Sequence, residues 1–243
     1  DKIKKENQFE NGKLPNTKIY ERILLEPTHY SKYIIEAEMQ IKEEIAKELD
    51  SLTTNNCYNS ILDLGLKNYI TTNYDYSLNK KSKEKECYIK NNSTEVLYSI
   101  RRNTSIIDNK TNNKSFKIWN IHGEISNPAS IMLGLDHYCK SIGQIDSYLN
   151  GTYKYRHNRE DKKTRPIKTK IKENIFDNTS WIDLFFSTDI HIIGLSLQYS
   201  EIDLWWILNT RARIQAKIKS YKNKFNKIFY YTPNIEPEKQ GLL

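Results

Sequence analysis

Two kinds of apolar run alternate along the chain. In "SKYIIEAEMQIKEEIAKELDSL" (31–52), Ile34, Ile35, Met39, Ile41, Ile45, Ala46, Leu49 and Leu52 recur near helical spacing, with charges between them. This predicts an amphipathic helix. "YNSILDLGL" predicts a short helix closed near Gly65. Helical patterns follow at 128–149, through Leu135, Tyr138, Ile142, Ile145 and Leu149, and in "SWIDLFFS", where Ser180 is the expected N-cap. A last one lies in "SEIDLWWILNTRARIQAKI", with Ser200 and Asp203 as a candidate capping box. The other runs are short and rich in β-branched and aromatic residues. Tyr69 and Ile70, "FKIWNI" (116–121), "DIHIIGLSL" (189–197) and "KIFYY" (227–231) predict strands.

Three stretches carry weaker patterns. Residues 1–30 are polar and Pro-punctuated. Residues 79–115 read as a polar insertion, in which "ECYIK" and "EVLYSI" fit strand or helix. Residues 150–173 read as an exposed basic stretch. Strands alternating with helices predict an α/β fold: a Rossmann-like, doubly wound parallel sheet with helices on both faces, in one domain over 1–243.

Composition narrows the class. Of 243 residues, 37% are hydrophobic and 17 are Tyr, too much apolar surface for a disordered chain. The three cysteines, Cys57, Cys87 and Cys139, include no close pair, which argues against a disulfide framework and a zinc-ribbon module. Histidines have no ligand spacing, so no metal is expected. No apolar run approaches membrane-spanning length and no signal peptide is visible. The expected location is cytoplasmic. A net charge of +8 allows a nucleic-acid partner, but 30 acidic residues dilute it, and a solvated surface explains it as well.

Candidate chemistry gathers where strands end, the usual place for ligands in such sheets. After Tyr69-Ile70 come Thr71, Thr72, Asn73 and Asp75. After "KIWNI" come His122, Gly123 and Glu124, and "HIIG" leads to Ser196. Each alone fits a turn; their coincidence at one expected sheet edge points to an active site. His191 lies inside a strand and reads as a core residue. His137, at a helix start, fits either packing or the cleft. Leu204, Trp205, Trp206 and Leu208 read as packing, and Arg211 and Arg213 as solvated.

The spaced motifs "TTNYD" (71–75), "IHG" (121–123) and "GLS" (194–196) resemble those of the sirtuin-like family. With "NPASIMLG" and "IIGLSLQYSEIDLWW", the resemblance is closest to the bacterial sirtuin-like NAD hydrolases of anti-phage defence. It implies an NAD-binding domain that cleaves the nicotinamide–ribose bond, with NAD as substrate. Asn73 and His122 correspond to the catalytic residues. Thr71, Thr72 and Asp75 would lie on the NAD side, and Gly194 and Ser196 would approach its phosphates or ribose.

Two features depart from the family. A cysteine-based zinc module cannot be built here, which favours plain NAD hydrolysis over deacylation. No Gly-rich phosphate loop occurs among the eight glycines. The chain opens on Asp1, so either it is truncated after that loop or its NAD site is incomplete. Hence a second expectation stands beside hydrolysis: a module that binds a nucleotide or partner without turnover. A homo-oligomer or a defence-system partner protein is expected in either case.

Overall fold

The computed structural model describes residues 15–25, 33–83, 87–91, 97–108, 115–157, 159–217 and 225–233. The fold is mixed α/β, and the chain divides into two compact units, Asp1–Ser141 and Ile142–Leu243. No helix among the described residues is long and apolar enough to cross a membrane.

The first unit opens with a helix that the sequence pattern did not announce, α1 (Asn16–Leu25). It starts just after Pro15, whose carbonyl accepts from the amides of Lys18 and Ile19. Its Ile19, Tyr20, Ile23 and Leu24 pack on Ala37 and Ile41 of α2 (Ile34–Asp50). Along α2 the apolar stripe is narrower than expected, because Ile34 and Ile35 are exposed. A lysine joins its buried face. Lys42 binds Glu38, one turn back, at 2.6 Å and approaches the Ala129 carbonyl at 3.3 Å.

The short helix α3 (Cys57–Asp63) precedes β1 (Asn68–Thr71), as the pattern predicts. Then come α4 (Ser77–Lys83), β2 (Cys87–Asn91), β3 (Thr104–Asp108) and β4 (Ser115–Asn120). The sheet order is β1-β4-β3-β2. β1 and β4 are parallel, whereas β3 is antiparallel to both β4 and β2. This sheet therefore departs from the expected all-parallel pattern. Only residues 109–114 separate β3 from β4, and a parallel crossover needs about a dozen residues or more. The region read as an insertion thus extends the sheet. Ile106 and Ile118 bury against Tyr69 and Leu62.

A 3-10 turn (Pro128–Ser130) leads to α5 (Leu135–Leu149), which spans the division between the units. His137, in its first turn, is fully buried. Its Nδ1 accepts from the amides of Leu133 and Gly134, both at 3.0 Å. The proton of the neutral ring therefore sits on Nε2, which donates to Glu38 at 3.0 Å. Of the two roles open to His137, the first unit assigns packing and helix capping.

The second unit holds the hairpin β5 (Lys154–His157) and β6 (Glu160–Lys163), then α6 (Ile167–Glu173) and α7 (Trp181–Ser187). Ser180 caps α7 as expected, accepting from the Ile182 amide at 3.2 Å. β6 is exposed, but the exposed reading of 150–173 fails at α6. There Lys170 is 0% exposed, and its ammonium reaches Asp183 at 3.1 Å and the Tyr148 hydroxyl at 3.0 Å. The Asp177 carboxylate lies 3.1 Å away as well, and a charge is buried here because these acceptors meet it.

β7 (Ile190–Ile193) and β8 (Ile228–Tyr231) form a parallel pair joined through α8 (Ile202–Lys217). Leu204 and Trp205 are buried, while Trp206 stays exposed. Asp203 is buried and accepts from the adjacent Leu204 amide at 2.9 Å. Two expectations are corrected here. His191 is exposed, stacked on Phe229 at 4.8 Å, because its position on β7 faces away from buried Ile192. Arg211 is half-buried and donates to the Phe185 carbonyl at 3.1 Å; burial pulls its pKa down.

Candidate active site

The site residues of the first unit follow from strand register. Thr71 pairs with Asn120 in the parallel β1–β4 ladder. Asn73 lies two residues beyond Thr71, and His122 two beyond Asn120. Both therefore emerge at the carboxyl ends of neighbouring strands, together with Thr72 and Asp75.

Backbone and side-chain bonds lace the two outgoing loops together. The Ile121 amide donates to the Thr71 carbonyl at 3.1 Å, and the Ile125 amide to the Tyr74 carbonyl at 3.0 Å. Tyr74 donates its hydroxyl to the Met132 carbonyl at 2.5 Å. The Asn73 main chain is held at both ends. Its amide donates to Thr71 Oγ1 at 3.1 Å, and its carbonyl accepts from Asn120 Nδ2 at 3.3 Å. Its residue surface is nevertheless exposed.

His122 differs. It is only 2% exposed, and its ring meets Tyr138 edge-on at 5.3 Å. Its carbonyl accepts from the Met132 amide at 2.9 Å. His122 is thus nearly sealed from solvent, and the 121–132 turn is tied back to its main chain. Gly123 lets the Ser130–Ile131 backbone of that turn come close. Its φ is +109°, and a Cβ there would collide with the Ser130 carbonyl. Ser130 in turn accepts from the Glu124 amide at 3.1 Å and donates to the Asn127 carbonyl at 2.7 Å.

Asp75 is half-buried, and its Oδ1 accepts from the Ser77 amide at 2.7 Å, which fixes the start of α4. Glu124 is the hub of a buried polar group. It forms an ion pair with Arg102 Nε at 3.0 Å and accepts from the Tyr76 hydroxyl at 2.8 Å. Tyr76 also contacts Ser126. Burial, together with the Glu124 charge, pushes the Tyr76 phenol well above its usual range, so it remains a donor.

Arg102, Tyr76 and Asn120 were not singled out from sequence. Arg102 sits in the stretch read as an insertion, where no periodicity distinguishes it. Asn120 offered a signal: a carboxamide inside an apolar strand end.

Gly194 and Ser196 belong to the second unit and follow β7. Both are exposed. Gly194 has φ +69°, with no atom near a would-be Cβ, so its backbone turn calls for glycine while leaving open space. Among the described residues, no group of three His, Cys, Asp or Glu side chains could hold a metal ion.

The parallel strand ends of this α/β sheet thus deliver a Thr-Thr-Asn-Tyr-Asp segment and a His-Gly turn. A family model described as SIR2-like domain matches residues 67–175. This span holds Asn73, Asp75 and His122 and stops before Gly194. The match supports a sirtuin-like family and points to NAD-related, NAD-dependent enzymatic chemistry. No curated protein and no solved structure matches the chain.

Proposed function

We propose that the chain is a sirtuin-like NAD glycohydrolase, releasing nicotinamide and ADP-ribose from NAD and water. The observation that carries this reading is the placement of Asn73 and His122 beyond one parallel strand pair, inside the span similar to SIR2-like domains. The glycosidic C–N bond breaks, and its electron pair leaves on the nicotinamide ring nitrogen. A water oxygen bonds to the anomeric carbon. The transition state resembles an oxocarbenium ion, which preorganised dipoles stabilise.

Asn73 suits the orienting role for water and leaving group, because its main chain is pinned while its surface stays open. His122 is the base that takes a proton from the water or a ribose hydroxyl. As the base it must meet the substrate through the small part of its surface left exposed. Thr71, Thr72 and Asp75 serve the nicotinamide side. NAD is the substrate, and the reaction calls for no metal.

The doubly wound Rossmann-like architecture belongs to the same reading, supported by the parallel pairs β1–β4 and β7–β8. We place the activity in anti-phage defence by NAD depletion, in the cytoplasm, with a homo-oligomer or a defence partner protein. The support is "NPASIMLG" and "IIGLSLQYSEIDLWW".

The test is nicotinamide release by the protein, with calorimetric NAD binding alongside. Asn73→Ala should lose roughly 100-fold or more in turnover, with a smaller loss of NAD affinity. NAD binding without turnover would replace hydrolysis by the binding-module reading. Absence of NAD binding would overturn both.

A further inference from the structure

Asn120 closes β4 with a residue only 1% exposed. Its Nδ2 donates to the Asn73 carbonyl at 3.3 Å. A carbonyl oxygen only accepts, so this contact decides which end of the carboxamide faces the loop. The other end, Oδ1, is a buried acceptor with no hydrogen-bond partner in the protein. An unmet buried acceptor costs stability that an apolar residue would not. Its neighbours on the strand, Ile118 and Trp119, are buried without such a demand, since Trp119 donates to Asn68 at 3.1 Å. The carboxamide also stands between the two residues assigned to catalysis: it holds one through space and precedes the other by two positions in the chain.

We infer that Asn120 is a positioning residue of this site. Its Nδ2 holds the Asn73 loop against the end of β4, and its Oδ1 accepts a hydrogen bond from an amide or hydroxyl donor of the bound nucleotide. The Oδ1 role rests on the glycohydrolase reading; the loop-holding role does not.

Two variants separate the ends of the carboxamide. Asn120→Asp keeps an acceptor but sets a carboxylate oxygen against the Asn73 carbonyl. Its kcat should fall roughly 10- to 100-fold, with KM for NAD changing less. The loss should shrink as pH is lowered, because the neutral carboxyl can again donate to that carbonyl. Asn120→Ala loses both ends, so kcat should fall and KM rise.

Hydrogen exchange supplies a readout independent of turnover. In Asn120→Ala, a peptide spanning 70–78 should exchange roughly fivefold faster, the equivalent of one lost hydrogen bond, while peptides from α1 and α2 stay unchanged. Should Asn120→Ala fail to fold, Asn120→Ser carries the same comparison. Unchanged exchange at 70–78 overturns the loop-holding role. A wild-type KM in Asn120→Ala overturns the Oδ1 role. If the wild type turns over no NAD but the loop exchange rises, the glycohydrolase reading fails, the Oδ1 role falls with it, and the loop-holding role stands.

Discussion

Asn73 and His122 stand at matching places beyond two paired parallel strands, yet Asn73 is exposed and His122 is sealed. One sheet edge thus supplies both an open carboxamide and a buried imidazole. Their loss should have different effects on the folded state.

Asn73→Ala should leave stability within about 0.5 kcal/mol of wild type, as expected for a surface truncation that keeps its backbone bonds. His122→Ala should cost roughly 2–3 kcal/mol, because it empties buried volume beside Tyr138. Urea unfolding of the two variants checks the difference. Equal urea midpoints would show that His122 is not buried in solution.

Gly123 and Gly194 both adopt positive φ, at +109° and +69°, but differ in the room around them. Gly194→Ala faces only the backbone penalty, about 1 kcal/mol. Gly123→Ala adds a collision with the Ser130 carbonyl and should cost well above roughly 3 kcal/mol. Soluble expression and denaturant midpoints should rank the two in that order; the reverse order would contradict the packing of the His-Gly turn.

The pH dependence of stability should carry a His137 signature. Burial, with the charge of Lys42, lowers the His137 pKa against the pull of Asp136 and Glu38. Tyr20 and Tyr98 flank the same ring. The folded state therefore resists protonation that the unfolded chain accepts near pH 6.5. The sign is fixed: His137 contributes no slope above that value, and stability falls as pH drops below it, at up to about 1.4 kcal/mol per pH unit. Glu38 behaves as a second, lower step. Burial raises its pKa, but Lys42 and His137 outweigh burial and bring it below the usual value, so its contribution is lost under more acidic conditions. His137→Gln should flatten the curve between about pH 6.5 and 5, measured by thermal melts across pH. An unchanged slope would remove His137 as its source.

Glu124 should matter more than either of its neighbours. Glu124→Ala takes the carboxylate from buried Arg102 and from the Tyr76 hydroxyl together, and should cost about 3–5 kcal/mol. Tyr76→Phe removes one hydrogen bond and should cost about 1 kcal/mol. A double-mutant cycle in urea measures the coupling; strict additivity would show that the Tyr76–Glu124 bond is not formed in solution.

Much of this was legible because local signals agree. Ser180 sits where an N-cap is needed, and Tyr69-Ile70 and "FKIWN" are apolar enough to form the sheet centre. What stayed hidden depends on partners distant in sequence. Nothing near Lys170 indicates that Asp183 and Tyr148 will enclose it. The exposure of His191 follows from which face of β7 its neighbours bury, not from the apolar run around it. β3 lay in a polar stretch, and its direction was set by the shortness of the link to β4. At the candidate site, residue types could be read from the strand ends, but not that His122 would be buried beside Tyr138, a residue sixteen positions further on.

Lys170 also makes the second unit a timer of its own opening. Every exposed lysine reacts with an amine-directed acylating reagent at a rate set by its chemistry. Lys170 has no surface to offer such a reagent and is clamped by the carboxylates of Asp177 and Asp183. Its acylation must wait until α6 and α7 part. Mass-spectrometric counting of the label at this one residue would therefore read out, without any inserted probe, how often that pair of helices comes undone.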